Sequence, residues 1–311
     1  MKRWYGLFLG LILWSGALSC SYGKSGPETL SVLAWNIWHA GHSKAYGETA
    51  CNAVAEILRT SGADVVLVVE TYGADTKLAD ALGYYHRSLS NNLSVYSRYP
   101  IRKTHLFPDS ISTFNFGGVE IDVAGQKVRV FDMWIHYLPD ASDVPTGLTG
   151  SELLAWEKSG TRDEETARIL SVLRPFIDES DSVPVIVGGD FNSHSHLDWT
   201  EATKDLFNHG GAVVAWPVSR MMAEAGFIDS FREMNPDPVI HIGTTWMTNP
   251  QAEPNRQDRI DYIYYQGKNI KAVASQCEDC LTGKEFRFRG KTFFYPSDHG
   301  FVYTKFRLDK N

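Results

Sequence analysis

Nine consecutive residues, Gly188-Gly189-Asp190-Phe191-Asn192-Ser193-His194-Ser195-His196, gather one acid, one carboxamide and two imidazoles. They follow Val183-Pro-Val-Ile-Val187, an apolar run that reads as a buried strand. A strand of that kind delivers its last residues at a sheet edge. An Asp and an Asn two residues apart can orient a water and contact a phosphate oxygen, which phosphoryl transfer requires. Five further signals have the same character. Asn36 closes Leu30 to Trp35, and Glu70 closes Asp64 to Val69. A charged Glu ending an apolar run must meet a cation, and hard divalent ions take oxygen ligands. His136 ends Phe131-Asp-Met-Trp-Ile, and Asp298-His299 precedes the last apolar run. Asp258-Arg259-Ile260-Asp261 opens another run with acids on both sides of an Arg. Taken singly, each has a plainer use: a polar cap for a histidine, an ion pair for the acid–Arg triad.

The elements that must position these groups are legible as short apolar runs. Strands are expected at Leu30 to Trp35, Asp64 to Val69, Leu93 to Ser97, Gly118 to Val123, Lys127 to Trp134, Val183 to Val187, Arg259 to Tyr265, Ile270 to Ala274 and Phe301 to Arg307. Several alternate apolar with polar residues, as Val128-Arg-Val-Phe-Asp-Met-Trp134 does. Glu48 to Thr60 carries Ala50, Val54, Ile57 and Leu58 at helical spacing. Thr161 to Phe176 opens with a capping-box pattern, Thr161-Arg-Asp-Glu164, and is expected to stop at Pro175. Helices among both hairpin-like and isolated strands suggest two sheets face to face, covered by helices. One domain is expected over residues 29–309. Pro139 to Gly160, rich in Pro, Gly, Asp and Thr, reads as a surface insertion that shapes access to a site.

The N-terminus follows the layout of a secretory signal peptide: Lys2-Arg3, a short apolar core from Leu7 to Trp14, then small residues. Residues 1–19 are read as the leader, with Cys20 as a candidate lipid anchor and 20–28 as a tether. Export places the protein in the cell envelope as a lipoprotein, or in the periplasm or medium. Lys2 and Arg3 are two of the 30 basic residues, so the mature chain keeps 28 against 37 acidic ones, a formal charge of −9. Such a chain lacks the basic surface on which non-specific nucleic-acid binding rests. Cys277-Glu-Asp-Cys280 suits a local disulfide or two free thiols, and no nearby Cys or His pair completes a zinc site. A monomer is expected.

Asn at the first strand, Glu at the second, His136, then Gly-Asp-Phe-Asn, Arg-Ile-Asp-Tyr and Ser-Asp-His, in this order, resemble the endonuclease/exonuclease/phosphatase (deoxyribonuclease I-like) superfamily. The resemblance runs over residues 30 to 307, and the leader points to an exported bacterial member. It implies an α/β fold, a four-layer α/β/β/α sandwich of two mixed sheets flanked by helices. It implies Asn36, Glu70 and Asp298 on a divalent ion, Mg²⁺ or Mn²⁺. Asp190 would orient water, Asn192 would donate to the scissile phosphate, and His136 would contact the phosphate from the other side. His299 would act as base or as phosphate-binding imidazolium, oriented by either Asp258 or Asp261, with Asp261 favoured. His194, His196, Trp199 and Trp246 are candidates for the wall of a head-group pocket, with Trp38, Tyr72 and Trp134 beside them. The expected activity is hydrolysis of a small or lipid-linked phosphoester. A secreted nuclease is the alternative within enzymes, and a non-catalytic surface ligand-binding lipoprotein the alternative outside them.

Overall fold

The structure, a computed structural model, describes residues 28–41, 47–246, 258–278 and 283–310. The leader, the tether before Glu28 and Cys280 lie outside the described residues, and Cys277 carries a free thiol. Strands in chain order are β1 (Glu28–Asn36), β2 (Val65–Val69), β3 (Tyr85–Ser88), β4 (Leu93–Ser97), β5 (Ile101–His105), β6 (Phe116–Val123) and β7 (Gln126–Trp134). They continue as β8 (Val185–Asp190), β9 (Ile228–Asp229), β10 (Asp261–Gln266), β11 (Ile270–Glu278), β12 (Glu285–Phe288), β13 (Lys291–Phe294) and β14 (Phe301–Leu308). The helices are α1 (Gly47–Ser61), α2 (Asp75–Leu82), α3 (Gly150–Glu157), α4 (Arg162–Asp178), α5 (Pro217–Glu224) and α6 (Ser230–Met234).

Two six-stranded mixed sheets form the centre. The first runs β11-β14-β1-β2-β4-β3 and the second β5-β6-β7-β8-β10-β9. In each sheet one parallel pair, β1 with β2 or β7 with β8, is flanked by antiparallel neighbours. The sequence shows no internal repeat, yet the two sheets follow one plan. Strand alternation explains the layers. Leu30, Val32 and Ala34 of β1 face the other sheet, where they meet Ile186 and Ile263. Leu33 and Trp35 face outward under α1, against Val54, Ile57 and Leu58. On the opposite outer face Ile169, Leu173 and Ile177 of α4 cover Val185 and Val187. The result is the expected α/β/β/α sandwich.

Two local expectations are corrected. The helix α4 runs through Pro175 to Asp178. Proline removes one hydrogen bond, to the exposed Ser171 turn, while Phe176 and Ile177 beyond it stay packed on the second sheet. Thr161 makes no cap; its hydroxyl donates to Glu165 Oε1 at 2.6 Å, and the capping box belongs instead to Thr149 and Glu152 at the start of α3. The stretch Pro139 to Gly160 is not a loose insertion. It contains α3, and Val144 and Leu153 pack with Trp199 and Trp216 in a satellite core. Glu157 of α3 forms a buried ion pair with Arg162, whose guanidinium also donates to the carbonyls of Tyr137 (3.0 Å) and Pro139 (2.8 Å). That pair fixes the chain just beyond His136.

Candidate active site

The parallel strand pairs point their C-terminal ends the same way, and the site assembles there. The first sheet supplies Asn36 at the end of β1, Glu70 just after β2, and Asp298-His299 just before β14. The second supplies Asp190 as the last residue of β8, Asp261 as the first of β10, and Ile135-His136 just after β7. Close approach of the sheets depends on Gly188: a Cβ there would lie 2.8 Å from Leu67 Cδ1 and 3.3 Å from Ala34 Cβ. Glu70 has a left-handed backbone (φ 63°), a conformation costing a non-glycine residue about 1–2 kcal/mol. Asn92 holds that turn, its Oδ1 accepting from Glu70 N at 3.0 Å.

Asn36 is the bridge between the sheets. Its Nδ2 donates to Glu70 Oε1 and Asp190 Oδ2, both at 3.1 Å, and lies 3.4 Å from His299 Nε2. Asp261 Oδ2 lies 2.9 Å from His299 Nδ1, so Asp261 is the acid that orients this imidazole, as favoured from sequence. The other candidate, Asp258, has its own histidine: His194 Nδ1 is 3.1 Å from Asp258 Oδ1. Main-chain ties fix His299 further. Trp35 Nε1 and the Tyr295 hydroxyl both donate to its carbonyl, and Thr245 Oγ1 accepts from Asp261 N. Trp246 covers the imidazole, with ring centroids 4.5 Å apart, which places the expected Trp landmark at the site.

The electrostatics follow from burial. Burial opposes charge on His299, but the Asp261 and Asp190 carboxylates outweigh it and push its pKa up to about 10. Burial pushes Asp190 up to about 7, partly offset by His299, and Asp298 up to about 7 against the same imidazole, with Glu70 adding to the rise. The protein alone thus concentrates negative charge that a cation would relieve. Glu70, Asp190, Asp261 and Asp298 set four carboxylates against one imidazole, and Asp261 Oδ1 is buried without a hydrogen bond among the described residues. A divalent ion fits this chemistry. The tightest trio is Asp190, Asp261 and His299, whose ligand atoms lie within 4.8 Å of one another. There, however, Asp261 is already engaged by His299, so the trio suits proton handling, and Glu70 with Asp298 and Asn36 would hold the ion. Asn36 would have to turn its amide, because Oδ1 now accepts from Trp38 N at 3.0 Å. Bound there, the ion would neutralise developing charge on a phosphate oxygen.

Several expected residues take other roles. Asn192 spends both amide hydrogens inside the protein, on Ile135 O (2.9 Å) and Asp190 Oδ2 (3.1 Å), and its own N–H goes to Asp190 Oδ1. It therefore holds Asp190 rather than reaching outward to a phosphate. His136 is half-buried beside this group. Its Nδ1 accepts from Leu138 N at 3.0 Å, which leaves Nε2 as the ring's donor. The expected head-group wall is corrected. His194 and Trp199 are 3% exposed and border a gap of only about 10 Å³, room for at most one water. His194 packs between Trp199 and Trp216, Trp199 stacks on His209 at 3.9 Å, and His196 Nδ1 lies 2.8 Å from Ser219 Oγ. The apolar satellite core draws this loop inward.

Of the aromatics expected beside the site, Tyr72 is exposed and stacks on His39, and Phe114 links Tyr72 to Trp134 along the mouth. Glu165 escaped the sequence reading altogether. From the first turn of α4 its Oε2 accepts from His136 N and Asn115 Nδ2, both at 3.1 Å. Its only sequence signal, an acid early in a helix, is shared by Asp163 and Glu164.

The comparisons agree with this geometry. An uncharacterized Caenorhabditis elegans protein, F14F9.5, is 28% identical over 307 residues, covering 93% of this chain and 95% of that protein. Truncated TDP2 from C. elegans superposes with a TM-score of 0.58 at 17% identity, covering 90% of this chain and 97% of that one. TDP2 from D. rerio, in a complex with single-strand DNA product, gives 0.56 at 18% identity over 89% and 98% of the two chains. These structures share the fold. Residues 33–299 match the model of the Endonuclease/Exonuclease/phosphatase family, and the chain belongs to that family.

Proposed function

We propose that this protein is a metal-dependent phosphoester hydrolase acting on a small or lipid-linked phosphoester, with Mg²⁺ or Mn²⁺ as the ion. The class of reaction follows from family membership. The observation that carries the reading is the union of Glu70 and Asp298 with the Asp261–His299–Asp190 relay at one sheet edge. His299, oriented by Asp261, acts as general base or as a phosphate-binding imidazolium, and Asp190 orients the attacking water. His136 offers Nε2–H from the other side of the phosphate. The net charge of −7 for the full chain favours a substrate with few phosphates over long nucleic acid. The nuclease reading keeps support from the D. rerio TDP2 complex with single-strand DNA product. We also propose that residues 1–19 direct export, that Cys20 is the point of lipid attachment, and that the enzyme works as a monomer.

The test is hydrolysis of bis-(p-nitrophenyl) phosphate with and without EDTA. Turnover restored by Mg²⁺ or Mn²⁺ is the expected result. A folded protein inert toward every phosphoester offered, with either ion, would leave the non-catalytic lipoprotein reading standing. Parallel reactions with plasmid DNA and with lipid-linked and soluble phosphodiesters separate the enzymatic alternatives.

A further inference from the structure

The loop after β8 does not form a substrate wall, but an open cleft of about 420 Å³ lies on the far side of His136. This volume is within the range of pockets that hold small organic ligands. His136 and Trp134, two residues apart, belong to its wall, so the cleft opens directly off the catalytic edge. The Trp134 ring is braced edge-on by Phe114, with centroids 5.4 Å apart. The facing wall comes from the first turns of α4, through Glu164, Glu165 and Arg168, and the rim includes Asp109 and Ser110. Asn115 and Glu165 are locked to each other and to the His136 main chain, so the inner surface is preformed.

We propose that this cleft receives the substituent carried on the His136 side of the phosphate, and that it selects an uncharged, hydroxyl-bearing group such as a cyclic or short-chain polyol. The inference rests on the hydrolase reading above. It follows by elimination. A second phosphate would meet three carboxylates and one guanidinium, and that guanidinium already faces Glu164 at 3.9 Å. An alkyl chain would desolvate Asp109, Glu164 and Arg168 without replacing their water. An organic ammonium group would gain from the carboxylates but would leave the Arg168 and Ser110 donors unmatched. A polyol matches all of the lining: its C–H face lies on Trp134, and its hydroxyls both donate to the carboxylates and the Thr161 oxygen and accept from Arg168 and the Ser110 hydroxyl.

Competitive inhibition of bis-(p-nitrophenyl) phosphate hydrolysis by three monoesters tests this in the full chain. The probes are myo-inositol 1-phosphate, thymidine 5′-phosphate and phosphocholine. The inositol ester is expected to bind at least about tenfold more tightly than either of the others. Filling the cleft with Ser110→Trp, or removing the platform with Trp134→Ala, is expected to erase that preference among the three monoesters. Each variant is checked for an unchanged melting transition, and the two act in different ways, so a misfolded one leaves the other to decide. Tighter binding of phosphocholine or thymidylate, or a preference that survives a folded variant, would overturn the subsite and leave the hydrolase reading intact. Absence of turnover by the wild-type chain would overturn both.

Discussion

Two buried histidine–aspartate pairs begin from acids three residues apart, and only one of them lies at the candidate active site. Asp261 holds His299 at 2.9 Å, and Asp258 holds His194 at 3.1 Å. The separations barely differ; the surroundings do. The second nitrogen of His299 faces Asn36 at 3.4 Å and Asp190 at 3.9 Å, at a junction of strand ends from both sheets. Both ring nitrogens of His194 are buried without a hydrogen bond among the described residues, Nδ1 only lying near Asp258, and the ring is packed against Trp199 and Trp216. A further buried histidine, His105, packs on Phe131 and Phe176 and has no ion pair among the described residues. Burial drives its pKa down to about 4, with Lys103 adding to the effect, whereas His299 is carried up to about 10. Pairing with an acid is therefore not the mark of a catalytic histidine. What its free nitrogen faces is.

Chelation should separate the first two histidines most sharply. Excess EDTA is expected to reduce hydrolysis of bis-(p-nitrophenyl) phosphate to background, and Mg²⁺ to restore it. The NMR signals of His299 should shift with the ion while those of His194 stay fixed. Movement of both sets would show that the two pairs are one coupled unit. Next in size, His299→Ala should lower kcat by about 10²–10⁴-fold, the span of acid–base catalysis. A folded His194→Ala protein should keep kcat within a few-fold, and equal losses in the two would erase the distinction.

The aspartates carry the same contrast at smaller scale. Asp258→Asn removes the acid beside buried His194, and urea unfolding should report a loss of about 1–3 kcal/mol, the cost of leaving a buried polar group unmatched. Asp261→Asn should instead lower kcat by about 10–100-fold, a loss of roughly 1.4–2.8 kcal/mol in barrier terms. Full turnover by Asp261→Asn with lost turnover by Asp258→Asn would reverse the assignment.

His105 gives the mildest effect. The unfolded chain takes up a proton near pH 6.5, while the folded chain refuses it until about pH 4. The stability held by neutral His105 is thus complete above pH 6.5 and drains away as pH falls toward 4. At about 1.4 kcal/mol per pH unit the loss amounts to some 3 kcal/mol at most. Urea midpoints between pH 7 and 4 should fall, and His105→Phe should flatten the slope; an unchanged slope would show that other groups control it.

Sequence legibility followed the same division. Strand ends were readable because apolar runs stop where a polar residue must meet water or a ligand. Asn36, Glu70, Asp190 and His299 were found that way, and all four converge. Strand lengths were less visible: β8 runs on through Gly188-Gly189 to Asp190, which no β propensity would suggest. The Asp258–Asp261 choice was undecidable locally, because each acid needed a histidine supplied from a distant segment. The inward fold of His194 and Trp199 was hidden because their partner Trp216 lies beyond a run with no clear period. Glu165 looked like any acid in a first helical turn. Its role depends on where the β7 end lands, which only the packing of α4 on the second sheet decides.

The bridging amide of Asn36 spans a seam between two sheets, each supplying part of the chemistry. Neither sheet alone carries both the Glu70 carboxylate and the Asp261–His299 relay. A chain with one sheet formed is consequently expected to be inert toward its substrate, with turnover appearing only when the sandwich docks. Catalysis is then a direct gauge of that docking: a substitution far from any phosphate, such as a larger residue at Gly188, would silence the enzyme by holding its two halves a fraction of an ångström apart.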